Sequence, residues 1–215
     1  MISTVIFDIG NVLTTYGWLD FIKGQGYSDD YSMRLAKAIM LSPYWCEFDR
    51  DVWTYEQIVD AFVSMDPEIE EDIRKCVKDQ VKLVTRRDYA IPWIKELKAA
   101  GYRVLFLSNF STYCRKDCDE ALDFIPCMDG GVFSFECHLI KPDKEIYQYL
   151  IDKYDLIPDE CVFIDDMQHN LDTAGVLGIN TILFDEYENV RKKLNEMLSI
   201  IGELGSNEGI FEEAH

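Results

Sequence analysis

Four places in this sequence put charged or hydrogen-bonding side chains directly after an apolar run or just ahead of a helix. Asp8 closes Thr4-Val5-Ile6-Phe7. Ser108-Asn109 closes Arg103-Val104-Leu105-Phe106-Leu107. Lys141 opens Lys141-Pro142-Asp143, and Asp165-Asp166 closes Cys161-Val162-Phe163-Ile164. Taken singly, each has an ordinary explanation: a turn carboxylate, a helix cap, a solvated lysine, a second cap. Taken together and in this order, they suit phosphoryl transfer. A carboxylate can attack phosphorus and form an acyl phosphate, which splits one hydrolysis into two easier steps. Two anions approach each other only if their charge is neutralised. Asp8, a backbone carbonyl and Asp166 form an all-oxygen donor set suited to Mg²⁺, which would also bind a substrate phosphate. Lys141 adds positive charge, and the Ser108 hydroxyl and Asn109 amide add donors to phosphoryl oxygens.

For these groups to meet, the elements carrying them must end on one side of a sheet. Short Val- and Ile-rich runs predict strands buried on both faces, at Thr4–Phe7, Arg103–Leu107, Gly131–Phe135, Cys161–Ile164 and Asn180–Phe184. Helices are expected between them, at Tyr89–Ala100, at Thr112–Phe124, through Ile146, Tyr149 and Leu150, and at Gln168–Leu177, with a last one at Tyr187–Ile200. Alternation of this kind predicts an α/β fold, a doubly wound Rossmann-like parallel sheet that binds ligands at its carboxyl ends. From Thr14 to Arg86 the pattern changes to successive amphipathic helices. Ser28 is placed as an N-cap, Thr54 to Gln57 has capping-box spacing, and Asp66-Pro67 precedes a helix through Ile69, Ile73, Val77 and Val81. The expected organisation is therefore a catalytic core from residues 1–13 and 87–202, an all-helical cap over 14–86, and a loose acidic tail over 203–215.

With 21 Lys and Arg against 40 Asp and Glu, the net charge is −19. That balance argues against nucleic acid or an anionic membrane as partner, and it means that any phosphate site is built locally. A small phosphorylated molecule is the expected partner. No run of about 18 apolar residues predicts a membrane span, and the N-terminus lacks the basic region of a signal peptide. Seven cysteines without a CxxC pair fit reduced thiols and a cytoplasmic location.

On these motifs the chain resembles the haloacid dehalogenase superfamily of phosphatases, from about Ser3 to Phe184. Phe7-Asp8-Ile9-Gly10-Asn11-Val12-Leu13 resembles its first motif and Leu107-Ser108-Asn109 its second. Lys141-Pro142-Asp143 with Ile146-Tyr147 resembles the third, and Phe163-Ile164-Asp165-Asp166 with Asn170 the fourth. The helical insert resembles the family's C1 cap. The resemblance implies that Asp8 is nucleophile and metal ligand, and that the Gly10 carbonyl is a second ligand. Asp166 is then the more direct carboxylate ligand, with Asp165 beside it. Ser108, Asn109 and Lys141 would hold the phosphoryl group. Family phosphatases carry a general acid and base, a second Asp, where this chain has Gly10. The Gly-Asn variant resembles the subgroup containing an alpha-D-glucose-1-phosphate phosphatase, which implies that the variant need not be inactive and that a sugar phosphate is a candidate substrate. Candidate replacements for the missing group are His169, His138, a metal-held water, or a cap carboxylate such as Asp20 or Glu47. Two alternatives stand beside the phosphatase: a dehalogenase, whose chemistry needs no metal, and a low-activity relative that binds a phosphorylated ligand. Trp18 and Trp45 are cap aromatics that could face a sugar ring, although an aromatic on a helix is more often core packing.

Overall fold

The computed structural model describes residues 1–78, 80 and 83–198. The chain opens with β1 (Thr4–Phe7) and crosses into an insert. The insert contains a short strand β2 (Thr14–Tyr16), helices α1 (Trp18–Lys23), α2 (Asp29–Ala38), α3 (Trp45–Arg50), α4 (Tyr55–Met65) and α5 (Glu70–Lys78), and a returning strand β3 (Val84–Arg86). Then follow α6 (Ala90–Ala99), β4 (Arg103–Ser108), α7 (Thr112–Asp117), β5 (Gly130–Phe133), α8 (Ser134–Cys137) and α9 (Lys144–Tyr154). The described chain ends with β6 (Cys161–Asp165), α10 (Gln168–Val176), β7 (Asn180–Leu183) and α11 (Tyr187–Leu198).

Five strands form a parallel sheet in the order β5-β4-β1-β6-β7. The apolar run of β1 takes the central place because Val5, Ile6 and Phe7 are all wanted inside, and all three are fully buried. Val5 and Phe7 pack in one layer with Trp93 and Ile94 of α6 and Val190 and Leu194 of α11. Ile6 faces the other layer, with Ile146 and Leu150 of α9 and Leu171 of α10. Each such side chain contributes about 1.5–3 kcal/mol by its burial. The chain winds from β1 outward through β4 and β5, then returns to β6 on the other side. Beside β1, the carboxyl ends of diverging connections leave a crevice, and Asp8 stands at its floor.

The insert folds where its caps predict. The Ser28 hydroxyl accepts from the Tyr31 N–H, and both halves of the Thr54–Gln57 capping box form. Pro67 starts one 3₁₀ turn before α5. Three features were not expected. The strand expected over Gly131–Phe135 stops at Phe133, and Ser134 and Phe135 begin the short helix α8. β2 and β3 pair antiparallel, Thr14 against Arg86 and Tyr16 against Val84, and so form a ribbon that carries the chain out to the helices and back. Three-residue strands are too short to show alternation in sequence. The helix expected to reach Phe124 stops after Asp117 and gives way to two 3₁₀ turns, the second containing Pro126. Val81, the expected end of the last helix at Ile200, and the tail over 203–215 lie outside the described residues. Among the described residues, no helix is long and apolar enough to cross a membrane.

Candidate active site

Asp8 follows β1 directly, and its N–H donates to the Ile164 carbonyl at 2.8 Å, which fixes it beside the end of β6. Its Oδ1 accepts from the Ile9 N–H at 2.7 Å and lies 2.9 Å from Lys141 Nζ. The same ammonium donates to Asp165 Oδ2 at 2.6 Å. Lys141 is thus a buried bridge between two carboxylates, with a third N–H left over. The Asn109 side chain holds the lysine backbone from both sides: Nδ2 donates to the Lys141 carbonyl at 3.0 Å, and Oδ1 accepts from the Lys141 N–H at 2.8 Å. Asn109 therefore positions Lys141 and keeps one N–H for another acceptor. Ser108 is buried and lines the same cavity.

Asp165 is fully buried and fully engaged. Its Oδ1 accepts from Met167 N–H, its Oδ2 from Lys141, and both oxygens from Asn170 Nδ2 at 3.0 Å. Asp166 uses Oδ2 to accept from Asn11 Nδ2 at 2.9 Å, which leaves Oδ1 uncommitted to any other side chain among the described residues. Asn11 sits at φ 56°, a left-handed conformation that Asn tolerates, and its Oδ1 accepts from the Tyr16 N–H. Oxygens of Asp8, Asp165 and Asp166 lie within 4.8 Å of one another. Such an all-oxygen set suits a hard divalent cation. The open oxygens belong to Asp8 and Asp166, so these two fit as ligands, while Asp165 orients Lys141. Gly10 lines the cavity; a β-carbon there would meet Asp8 Oδ2 at 4.0 Å, so crowding does not enforce the glycine.

The charges are unbalanced: three acids surround one lysine. Burial pushes the Asp8 carboxyl up to about 7; Lys141 pulls it down, and Asp165 and Asp166 push it further up. Burial also raises Asp166, against the hydrogen bond from Asn11. Burial opposes the Lys141 ammonium, but Asp165 and Asp8 outweigh it and hold its pKa above the usual lysine value. A bound dication would relieve the excess of negative charge.

Above these groups lies a cavity of about 320 Å³, at the small end for ligand pockets. Its far wall is made by Tyr16, Trp45, Asp49, Leu83 and Val84 from the insert, with Phe110 beside them. Trp45 is braced by Phe48 and Phe62, with ring centroids at 5.2 and 6.2 Å. Trp18 does not line this cavity. Of the groups named as replacements for the missing acid, His169 does line it. His138 is exposed, with Nδ1 3.0 Å from the Arg50 carbonyl; Glu47 pairs with Arg50; Asp20 borders a separate cavity. Sequence alone gave no sign of Asp49. It follows the buried Phe48 on a six-residue helix, too short to display a period. Burial, with the Asp8 charge adding to it and Lys141 opposing, raises its carboxyl to about 8.

A family model for haloacid dehalogenase-like hydrolases matches residues 2–178. The chain is 26% identical to (S)-2-haloacid dehalogenase 1 of a Pseudomonas species, over 52% of this chain and 49% of that protein. It is 24% identical to the sesquiterpene phosphatase astK of Aspergillus oryzae, over 82% of this chain and 87% of that one. Its fold is similar to a Bacteroides thetaiotaomicron HAD family enzyme solved with magnesium and inorganic phosphate: TM-score 0.67, 18% identity, 88% of this chain and 98% of that one. The chain spans between 20% and 52% of the length of several curated relatives it matches.

Proposed function

The chain belongs to the haloacid dehalogenase-like hydrolase family, and we propose that within it this protein is a Mg²⁺-dependent phosphatase for small phosphate monoesters, with Asp8 as nucleophile. The observation that carries this is Lys141, buried between Asp8 and Asp165 with Asp166 close by. Lys141 keeps Asp8 fixed and offers its third N–H to a phosphoryl oxygen. Ser108 and the remaining Asn109 N–H are the other donors at that end of the cavity. Mg²⁺, held by Asp8 and Asp166, would neutralise charge so that carboxylate and phosphate can meet. Asp8 then attacks phosphorus, and water later releases phosphate from the acyl phosphate. The phosphatase and the magnesium–phosphate complex among the similar proteins support the reading.

The insert's wall is largely apolar, so the favoured substrates are monophosphates of compact, mostly apolar alcohols, with sugar phosphates second. A dehalogenase is the competing reading, favoured by the match to (S)-2-haloacid dehalogenase 1. A panel of phosphate monoesters and 2-haloacids, each with Mg²⁺ and with EDTA, separates the two. The expected result is phosphate release that needs Mg²⁺. Halide release that persists in EDTA would contradict it.

A further inference from the structure

We propose that Asp49 is the proton donor and acceptor of this reaction, supplying from the insert the group that Gly10 cannot; this rests on the phosphatase reading above. Asp49 is 8% exposed, lines the cavity that Asp8 floors, and its carboxyl makes no hydrogen bond or ion pair among the described residues. A buried carboxyl without partners costs free energy, and folds retain few of them without a use. The backbone around it is held firmly to the core. The Asp49 carbonyl accepts from Ser134 Oγ at 2.6 Å. The Arg50 carbonyl lies 3.0 Å from His138 Nδ1, and Asp51 Oδ2 accepts from Thr112 Oγ1 at 2.5 Å. Three successive residues at the end of α3 are thereby tied to α7, α8 and the residue after α8. These ties hold Asp49 in the cavity wall rather than leaving it to drift with the insert.

Burial, the largest effect, and then the Asp8 charge favour a protonated Asp49, and Lys141 opposes them; Tyr16, Cys114 and Cys46 stand near enough to feel its charge. In the first step an Asp8 oxygen bonds to phosphorus. The bond from phosphorus to the ester oxygen breaks, its electron pair stays on that oxygen, and the Asp49 proton goes to it, so a neutral alcohol departs. In the second step the Asp49 carboxylate takes a proton from water. The water oxygen bonds to phosphorus, the bond to Asp8 breaks, and phosphate leaves with Asp8 and Asp49 restored.

The test is Asp49→Asn, assayed with Mg²⁺ on two substrates. p-Nitrophenyl phosphate releases a phenolate that needs no proton, and an alkyl phosphate releases an alkoxide that does. The expected result on the alkyl phosphate is a fall in kcat/KM of about 10²–10⁴-fold. On p-nitrophenyl phosphate, the first turnover should stay within about threefold of wild type, followed by a slow steady state seen as a burst of nitrophenol, because water has lost its base. Unchanged kinetics, or equal losses on both substrates without a burst, would overturn the proposal. If the Asn variant does not fold, Asp49→Glu is expected to keep part of the alkyl phosphate activity while losing less on p-nitrophenyl phosphate, and a folded Glu variant with equal losses on the two substrates would count against the assignment. Wild type inactive on both substrates would overturn the phosphatase reading itself, whereas an active wild type with an insensitive variant overturns the Asp49 role alone.

Discussion

A carboxyl taken out of water keeps its proton unless a cation or donors offset the loss of hydration. Asp49 has no such partner among the described residues, and its pKa of about 8 lies far above the ordinary 3.8. Folding therefore raises its proton affinity. Between these two values the folded state binds more protons than the unfolded one. The resulting stability is complete below the unfolded pKa and is lost as pH rises toward 8. Asp8, raised to about 7, acts in the same direction. Metal-free wild type should thus lose stability from about pH 5 to about pH 8, and Asp49→Asn should lose less, by up to about 1.4 kcal/mol per pH unit. Urea midpoints across that range measure it, and parallel curves for the two proteins would contradict it. Asp8, Ser108-Asn109, Lys141 and Asp165-Asp166 could be picked out in sequence because each closes an apolar run or stands just ahead of a helix. Asp49 and Asn11 could not. Each acts through a fold in space, one over the cavity and one across to Asp166, and neither contact leaves a mark in local pattern.

The elements divide the work between a rigid sheet and an insert that must be held against it. Ser134, at the start of α8, is one of the links between them. Its buried hydroxyl accepts from the Phe110 N–H at 2.8 Å and donates to the Asp49 carbonyl at 2.6 Å. Ser134→Ala strands both backbone groups, so unfolding free energy should fall by about 1–3 kcal/mol. Turnover of an alkyl phosphate should fall with it, since the end of α3 loses an anchor. Urea unfolding and steady-state kinetics check both, and a stability within about 0.5 kcal/mol of wild type would contradict the link. The capping motifs of α2 and α4 could be read from sequence because they are local. The β2–β3 ribbon could not, since its pairing joins residues about seventy positions apart through strands of three residues. Asn109 shows the same limit at a site. Its position beside Ser108 suggested a donor to phosphate, but gave no sign that its amide also holds the backbone of Lys141.

At the scale of the molecule, alternating strands and helices made the parallel sheet legible, and the change of texture after Leu13 marked the insert. What alternation cannot convey is how the insert closes over the sheet and which of its side chains reach the cavity. The whole chain carries −19, so its distant field repels a phosphate, and the attraction must come from Lys141 and a cation held by Asp8 and Asp166. Everything then turns on whether Asp8 becomes phosphorylated. The most direct measurement is to quench the protein in acid during turnover of a radiolabelled phosphate monoester with Mg²⁺, then map any label that remains bound. The account predicts label on Asp8, released by hydroxylamine as an acyl phosphate is, and none in Asp8→Asn. Label on another residue, or an Asp8→Asn variant that still hydrolyses the ester, would contradict it.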